Sequence, residues 1–279
     1  MRVVRWSPFD APLPPPERDI RRLLISVDAN GGFESYAAAD GERVKRAARL
    51  ARSSLPGAFS LAVRLSSCAH GARCLSPACP VCAGRVRIWF YGETAKVLGV
   101  QHPTLWAQLK LITLVNEGWI VPRSEIQCFS PKILVDRARH QFLRAGATGA
   151  IVIGAVHGEF DQTGQYWQPH LHLIAKGMSR ASMRLLRQRH YRRSPRVYRP
   201  MVVQPLKNPE KQISYLLKSY WPMKVRYIDE EGCKRSTLQR IPEPFQSKYL
   251  MMLDQFNLLD LVFLVGVRRY GHALQAMSF

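Results

Sequence analysis

Two apolar runs, Ala150 to Phe160 and Tyr166 to Ala175, stand on either side of Asp161-Gln162-Thr163-Gly164. A short glycine-containing link between such runs reads as a β-hairpin, and strands joined this way must pair antiparallel. The flanking segments extend the pattern. Leu109 to Asn116 is strand-like, and Pro131 to Ala145 is helix-like, with Ser130 as its N-cap and Gly146 past its end. After the hairpin come a basic helix over Ser179 to Arg192 and an extended run over Tyr198 to Leu206. A further helix opens after Asn208 with Pro209 in its first turn and continues through Tyr220. The order β-α-β-β-α-β-α predicts an α+β fold, an antiparallel sheet with helices on one face.

Outside this region the chain reads differently. Residues 1–60 form a Pro-rich arm followed by a helix over Gly41 to Ser54, and Pro56-Gly57 breaks the chain before a Cys-rich stretch. Residues 61–104 hold that stretch and a linker helix over Ile88 to Leu98, 105–225 the regular core, and 226–279 an accessory hairpin around Asp229 to Gly232 with a helix from Pro244. A chain of 279 residues, 47% hydrophobic, is large enough for one such core with appendages.

Charge restricts the partner. A formal net charge of +21 and a pI near 10.3 suit a phosphate-rich partner, with DNA foremost and an anionic membrane surface or solubility alone as the other readings. The opening residues lack the apolar core of a secretory signal, which predicts a cytoplasmic protein. The longest apolar stretch, Leu258 to Val267, is interrupted by Asp260 and is far short of the roughly 20 residues a membrane span needs.

The chemistry-bearing stretch is Gln168-Pro169-His170-Leu171-His172-Leu173. Residues two apart on a strand share a face, so His170 and His172 converge and can grip one metal ion. Exposed or structurally hydrogen-bonded histidines are the plainer reading. Glu159, near the end of the preceding strand, is a third ligand within reach or a solvated hairpin carboxylate. Tyr215 and Lys218, three apart, share a helix face. A tyrosine attacking phosphate forms a phosphotyrosine that stores the bond energy for rejoining, but its phenol needs a nearby cation or metal. The pair also suits a half-buried tyrosine beside a surface lysine.

Cys68, Cys74, Cys79 and Cys82 lie within 15 residues and end in Cys-x-x-Cys, a pattern that suits a structural Zn²⁺; His70 could replace one of them, and four unligated thiols are the alternative. Cys128 and Cys233 stand alone. Arg180, Arg184, Arg187, Arg189, Arg192 and Arg193 make the Ser179 to Arg192 region a candidate DNA-backbone contact, or a solvated helix face, with Met183, Leu185 and Leu186 packing inward.

Strand Leu111-Ile112-Thr113-Leu114 with Asn116, then Trp167-Gln168-Pro169-His170-Leu171-His172, then Tyr215-x-x-Lys218, resemble in this order the three motifs of HUH endonucleases, especially rolling-circle plasmid replication initiators. The Cys-rich lead-in ending Cys79-Pro80-Val81-Cys82 resembles the cysteine cluster that precedes the nuclease domain in some of them. The resemblance spans roughly residues 68–220. It implies a ferredoxin/RRM-like five-stranded antiparallel sheet. It also implies Mn²⁺ or Mg²⁺ on His170, His172 and Glu159, Tyr215 as nucleophile, and Lys218 orienting phosphate or metal-bound water. The implied partners are single-stranded or hairpin origin DNA and a host helicase and polymerase. Two departures stand out: Tyr220 is a second tyrosine, and Glu210, five residues before Tyr215, is the nearest match to an acid that some relatives place one turn upstream. A zinc-containing DNA-binding regulator without catalysis, and a transposase or phage initiator with the same chemistry, are the rival readings.

Overall fold

Strands β3 (Ile151–Asp161) and β4 (Tyr166–Lys176) form the expected hairpin, paired over eleven residues from Ile151 opposite Lys176 to Asp161 opposite Tyr166. The computed structural model describes residues 34–69, 71–218 and 220–277; the N-terminal arm expected over the first residues, and His70, lie outside them. Local chemistry closes the turn. Asp161 Oδ1 accepts a hydrogen bond from Gly164 N at 2.8 Å, and Gln165 takes a positive φ of 53°.

The sheet grows outward from this hairpin. Strand β1 (Leu109–Val115) pairs with β4, and β5 (Met201–Pro205) pairs with β1, both antiparallel. The two-residue β2 (Val121–Pro122) meets the start of β4. On the other edge of β3 lie β8 (Val262–Val265), antiparallel, and β6 (Met223–Ile228), which pairs parallel at Phe160 and Asp161. Strand β7 (Lys234–Gln239) extends β6 as a hairpin, and β9 (Val267–Tyr270) with β10 (Ala273–Ala276) forms a separate two-stranded sheet. The fold is therefore α+β as expected, but its main sheet is mixed rather than wholly antiparallel. The reason lies in the connection: β6 is reached from β5 by a long crossover, and because no hairpin joins β6 to β3 nothing forces those two neighbours to pair antiparallel.

Strand pleating sorts the residues into two faces. Ile112, Leu114, Leu171, Leu173, Val152 and Val156 are essentially inaccessible to solvent. Helix α4 (Pro131–Arg144), between β2 and β3, buries Leu134, Val135, Ala138 and Phe142, with the Phe142 ring 5.3 Å from Phe263 of β8. Because Phe263 lies opposite Gly154, in the row of Leu173 and Ile112, α4 covers this face. Helix α7 (Phe245–Asp254) covers its far end, with Tyr249 stacked on Trp167 and Phe245 on Phe160. The residues read as an accessory C-terminal region thus supply a core strand and a core helix. Thr113, His157, His170 and His172 alternate with the buried set and project from the opposite face.

Among the described residues three α-helices precede the sheet: α1 (Tyr36–Ala51), capped by Ser35, α2 (Ala58–Ser66) and α3 (Pro80–Leu98). Helix α3 starts well before the predicted Ile88, with Pro80 in its first turn, where a missing N–H costs nothing. Helix α5 (Arg180–His190) follows β4, and α6 (Pro209–Tyr215) follows β5. The latter stops at Tyr215 rather than Tyr220. Trp221 precedes Pro222 and is driven from helical geometry, while the indole is fully buried against Phe129, Trp167 and Tyr249. Among the described residues no helix is long and apolar enough to cross a membrane.

Gly158 carries this anchor, because a Cβ there would overlap the Trp221 indole. Gly158→Ala is expected to lower stability by about 1–3 kcal/mol through overpacking, read from urea denaturation. An unchanged unfolding midpoint would contradict the close seating of Trp221.

Candidate metal and tyrosine site

Three imidazoles gather on the other face of the hairpin, where His157 is buried and His170 and His172 are half-buried. The β3–β4 register puts His157 directly opposite His170, and β1 puts Thr113 opposite His172. One ring nitrogen from each of His157, His170 and His172 lies within 4.8 Å of the other two. The second nitrogen of each ring is held. His170 Nδ1 donates to the Gln168 carbonyl at 3.1 Å, His157 Nε2 donates to the Leu216 carbonyl at 2.6 Å, and His172 Nδ1 lies 3.0 Å from Thr113 Oγ1. Since a carbonyl only accepts, His170 keeps its lone pair on Nε2 and His157 keeps its own on Nδ1. This is how ligating histidines are oriented elsewhere: the far nitrogen fixes the tautomer.

The geometry and the electrostatics fit a cation. His170 Nε2 and His172 Nε2 are 3.2 Å apart, close to the spacing of two nitrogens that each sit about 2.1 Å from one ion. Burial pushes the His157 pKa down to about 3, aided by the neighbouring His170 charge, and burial also lowers His170 and takes His172 well below its usual value. All three rings are therefore neutral near pH 7, as metal ligands must be.

Tyr215, the last residue of α6, faces this cluster. Its ring stacks on His157 at 5.2 Å and meets His172 edge-on at 5.6 Å, and the residue is 41% exposed. Lys218 Nζ lies 5.3 Å from the centroid of the same ring. Arg87 of α3 holds the helix end, donating to the Ser214 carbonyl from Nε at 3.0 Å and Nη2 at 2.7 Å. Burial raises the Tyr215 phenol, as does the charge on Glu159, while Arg87 opposes both. No family model, curated protein or solved structure matches the chain.

Other residues singled out in the sequence fall elsewhere. Glu159 lies beside the cluster but is ion-paired with Lys224 at 3.0 Å, and His157 occupies the third corner instead. The sequence held a signal for His157, since closing the hairpin at Asp161 and Tyr166 places it across from His170; a histidine inside an apolar run simply draws less notice than a carboxylate at its end. Tyr220 turns toward β7, with its hydroxyl 3.4 Å from the Gln239 carbonyl, although Lys218 Nζ lies 5.6 Å from its ring too. Glu210 lies near Tyr91 of α3, where burial first and Glu210 second hold the phenol up at about 12.

Cys68, Cys74, Cys79 and Cys82 form a second group able to hold a metal ion. Their Sγ separations of 3.6 Å (Cys68–Cys82), 3.7 Å (Cys74–Cys82) and 3.8 Å (Cys68–Cys79) match the roughly 3.8 Å edge of a tetrahedron of sulfurs about 2.3 Å from Zn²⁺. Hydrogen bonds from Cys79 and Cys82 hold the Cys74 thiol down at about 2, and the same contacts push Cys79 up to about 12 and Cys82 higher still. One thiolate forms at its neighbours' expense, a conflict that a dication would relieve. Arg43 and Arg73 lie within electrostatic reach. The α5 arginines divide between two grooves: Arg180 and Arg184 line one, and Arg187 lines another with Arg192 and Arg193. Arg189 is exposed near the end of the helix.

Two outcomes are expected. Purified protein should contain one zinc per chain, and chelation should expose four thiols to a thiol reagent with loss of helical signal, because a structural ion contributes folding energy directly. Zinc-free protein whose four thiols react freely in the native state would contradict this. In calorimetric titration with Mn²⁺, His157→Ala, His170→Ala and His172→Ala should each weaken binding at least about tenfold, and Glu159→Gln should do less. Equal losses in all four variants would place Glu159 in the ligand set.

Proposed function

We propose that this protein is a metal-dependent DNA-nicking and joining enzyme in which Tyr215 is the nucleophile, acting on single-stranded or hairpin origin DNA in the manner of HUH rolling-circle replication initiators. The observation that carries the reading is the seating of an exposed tyrosine against His157 and His172 of the three-histidine cluster. The central strand order β5-β1-β4-β3 is compatible with the ferredoxin-like plan that the resemblance implies. In a zinc-containing regulator without catalysis, Tyr215 would be core and the His-x-His structural. Neither description suits an exposed phenol stacked on His157.

His170, His172 and His157 would hold Mn²⁺ or Mg²⁺, which when bound would polarise the phosphate and stabilise charge on the departing oxygen. The chain's own groups do the rest. The stack on His157 and the Arg87 clamp on Ser214 hold the Tyr215 phenol in place. Its Oη forms a bond to phosphorus as the P–O3′ bond breaks, leaving a 5′-phosphotyrosine and a strand with a free 3′-hydroxyl. The phenol loses its proton to solvent, and the departing 3′-oxygen gains one. Lys218 and Arg87 place positive charge beside the phenol and favour its ionised form. Rejoining is the reverse attack by a 3′-hydroxyl. The released 3′ end primes a host polymerase, with a host helicase opening the duplex. The four cysteines hold a structural Zn²⁺ at the start of α3.

The test is covalent capture. With a single-stranded origin-region oligonucleotide and Mn²⁺, wild-type protein is expected to form a denaturation-resistant DNA adduct that maps to Tyr215. Tyr215→Phe should abolish it and Tyr220→Phe should retain it. An adduct at Tyr220, or none with any oligonucleotide tiled across the origin region, would overturn the assignment.

A further inference from the structure

A groove of about 540 Å³ opens at the edge of the sheet where α5 ends and β5 begins. Arg187, Arg192, Arg193 and Arg199 line it together with Tyr198 and Val202, and among the described residues that line it none is acidic. Tyr198 is 67% exposed, a large aromatic left in water, and the Arg193 guanidinium lies 4.7 Å from its ring centroid. The backbone beneath is fixed. Val197 and Pro200 are buried on either side, Ser194 and Val197 hydrogen-bond each other, and Val115 N donates to the Pro200 carbonyl at 2.8 Å. Tyr191, in the groove wall, is buried and donates to Gln141 Oε1 at 2.8 Å. An exposed tyrosine on so rigid a loop contributes nothing to the core.

The groove connects to the histidines through the sheet. Val202 lies opposite Thr113, and Thr113 opposite His172, so the three side chains form one row on the histidine-bearing face. Two strand spacings separate Val202 from His172, about 10 Å. That is the reach of a few nucleotides of extended strand. Clustered arginines neutralise phosphates without reading sequence, and a fixed aromatic ring offers a stacking surface to any base. Duplex DNA hides its base faces, so a stacking ring of this kind selects single strands.

We infer that Tyr198, braced by Arg193 and flanked by Arg187, Arg192 and Arg199, is a stacking platform for one base of single-stranded DNA, a few nucleotides from the phosphate at Tyr215. The inference depends on the proposed function only in taking this strand to be the one that Tyr215 attacks. It replaces a backbone-following role for Arg187, Arg192 and Arg193 with a single-strand subsite, to which Tyr198 and Arg199 belong.

The test is binding without metal or cleavage. Fluorescence anisotropy with labelled dT20 should show Tyr198→Ala weakening affinity about tenfold at constant salt slope, and Tyr198→Phe, which keeps the ring, close to wild type. Arg193→Ala and Arg199→Ala should each reduce the salt slope by about one. Oligonucleotides carrying 5-iododeoxyuridine should photocrosslink to Tyr198, mapped by mass spectrometry. Unchanged affinity in Tyr198→Ala, crosslinks elsewhere only, or tighter binding of rU20 or duplex than of dT20 would each overturn the inference. A Tyr198→Ala binding defect in a protein that forms no Tyr215 adduct would keep the platform and remove the nickase. A Tyr215 adduct with undiminished Tyr198→Ala binding would do the opposite.

Discussion

The continuous pairing of β3 with β4 holds the site together. Because side chains alternate across a strand, slipping this ladder by one residue would turn a whole row to the other face. His170 and His172 would face α4, and Leu171 and Leu173 would point to the side of Thr113, His157 and Tyr215. The apolar row, Val152, Val156, Leu171 and Leu173, is wholly buried, and that burial makes the slip prohibitive. At roughly 1.5–3 kcal/mol for each large side chain removed from water, the apolar face pins the polar one. The histidines are placed by residues on the far side of the sheet that do no chemistry.

Three imidazoles held neutral in a poorly solvated cluster are costly unless each polar nitrogen is matched. Here the Gln168 carbonyl, the Thr113 hydroxyl and the Leu216 carbonyl each engage one ring. The Leu216 contact does more than satisfy a donor. Leu216 follows Tyr215 directly, so the same imidazole that forms the third corner also fixes the end of α6. The geometry of the cluster and the position of the phenol are thereby coupled through one side chain.

Helix α3 links regions that are far apart in sequence. Its first turn carries Cys82 of the thiol group, its middle carries Arg87 against Ser214, and farther along Trp89 Nε1 donates to the His272 carbonyl at 2.6 Å and Glu93 accepts from Leu274 N at 3.0 Å. The cysteine-rich segment, the tyrosine helix and the C-terminal hairpin are consequently parts of one framework. A division of the chain into independent appendages does not describe it.

Periodicity and turn chemistry made the hairpin, the α4 and α5 helices and the His-x-His strand legible, because each depends on neighbours a few residues apart. Trp221-Pro222 restricts only residue 221, and α6 ends earlier, at Tyr215, where Arg87 and His157 take the Ser214 and Leu216 carbonyls. What the sequence by itself determined was therefore local: an α+β order, two residue clusters suited to metal ions, and a tyrosine beside a lysine. Only the tertiary structure decided that β8 and the parallel β6 complete the sheet, that Glu159 pairs with Lys224, and that Tyr198 stands exposed beside an arginine-lined groove. Each of these is a contact between residues distant in the chain, set by which apolar surfaces must be buried together, and no local pattern encodes that choice.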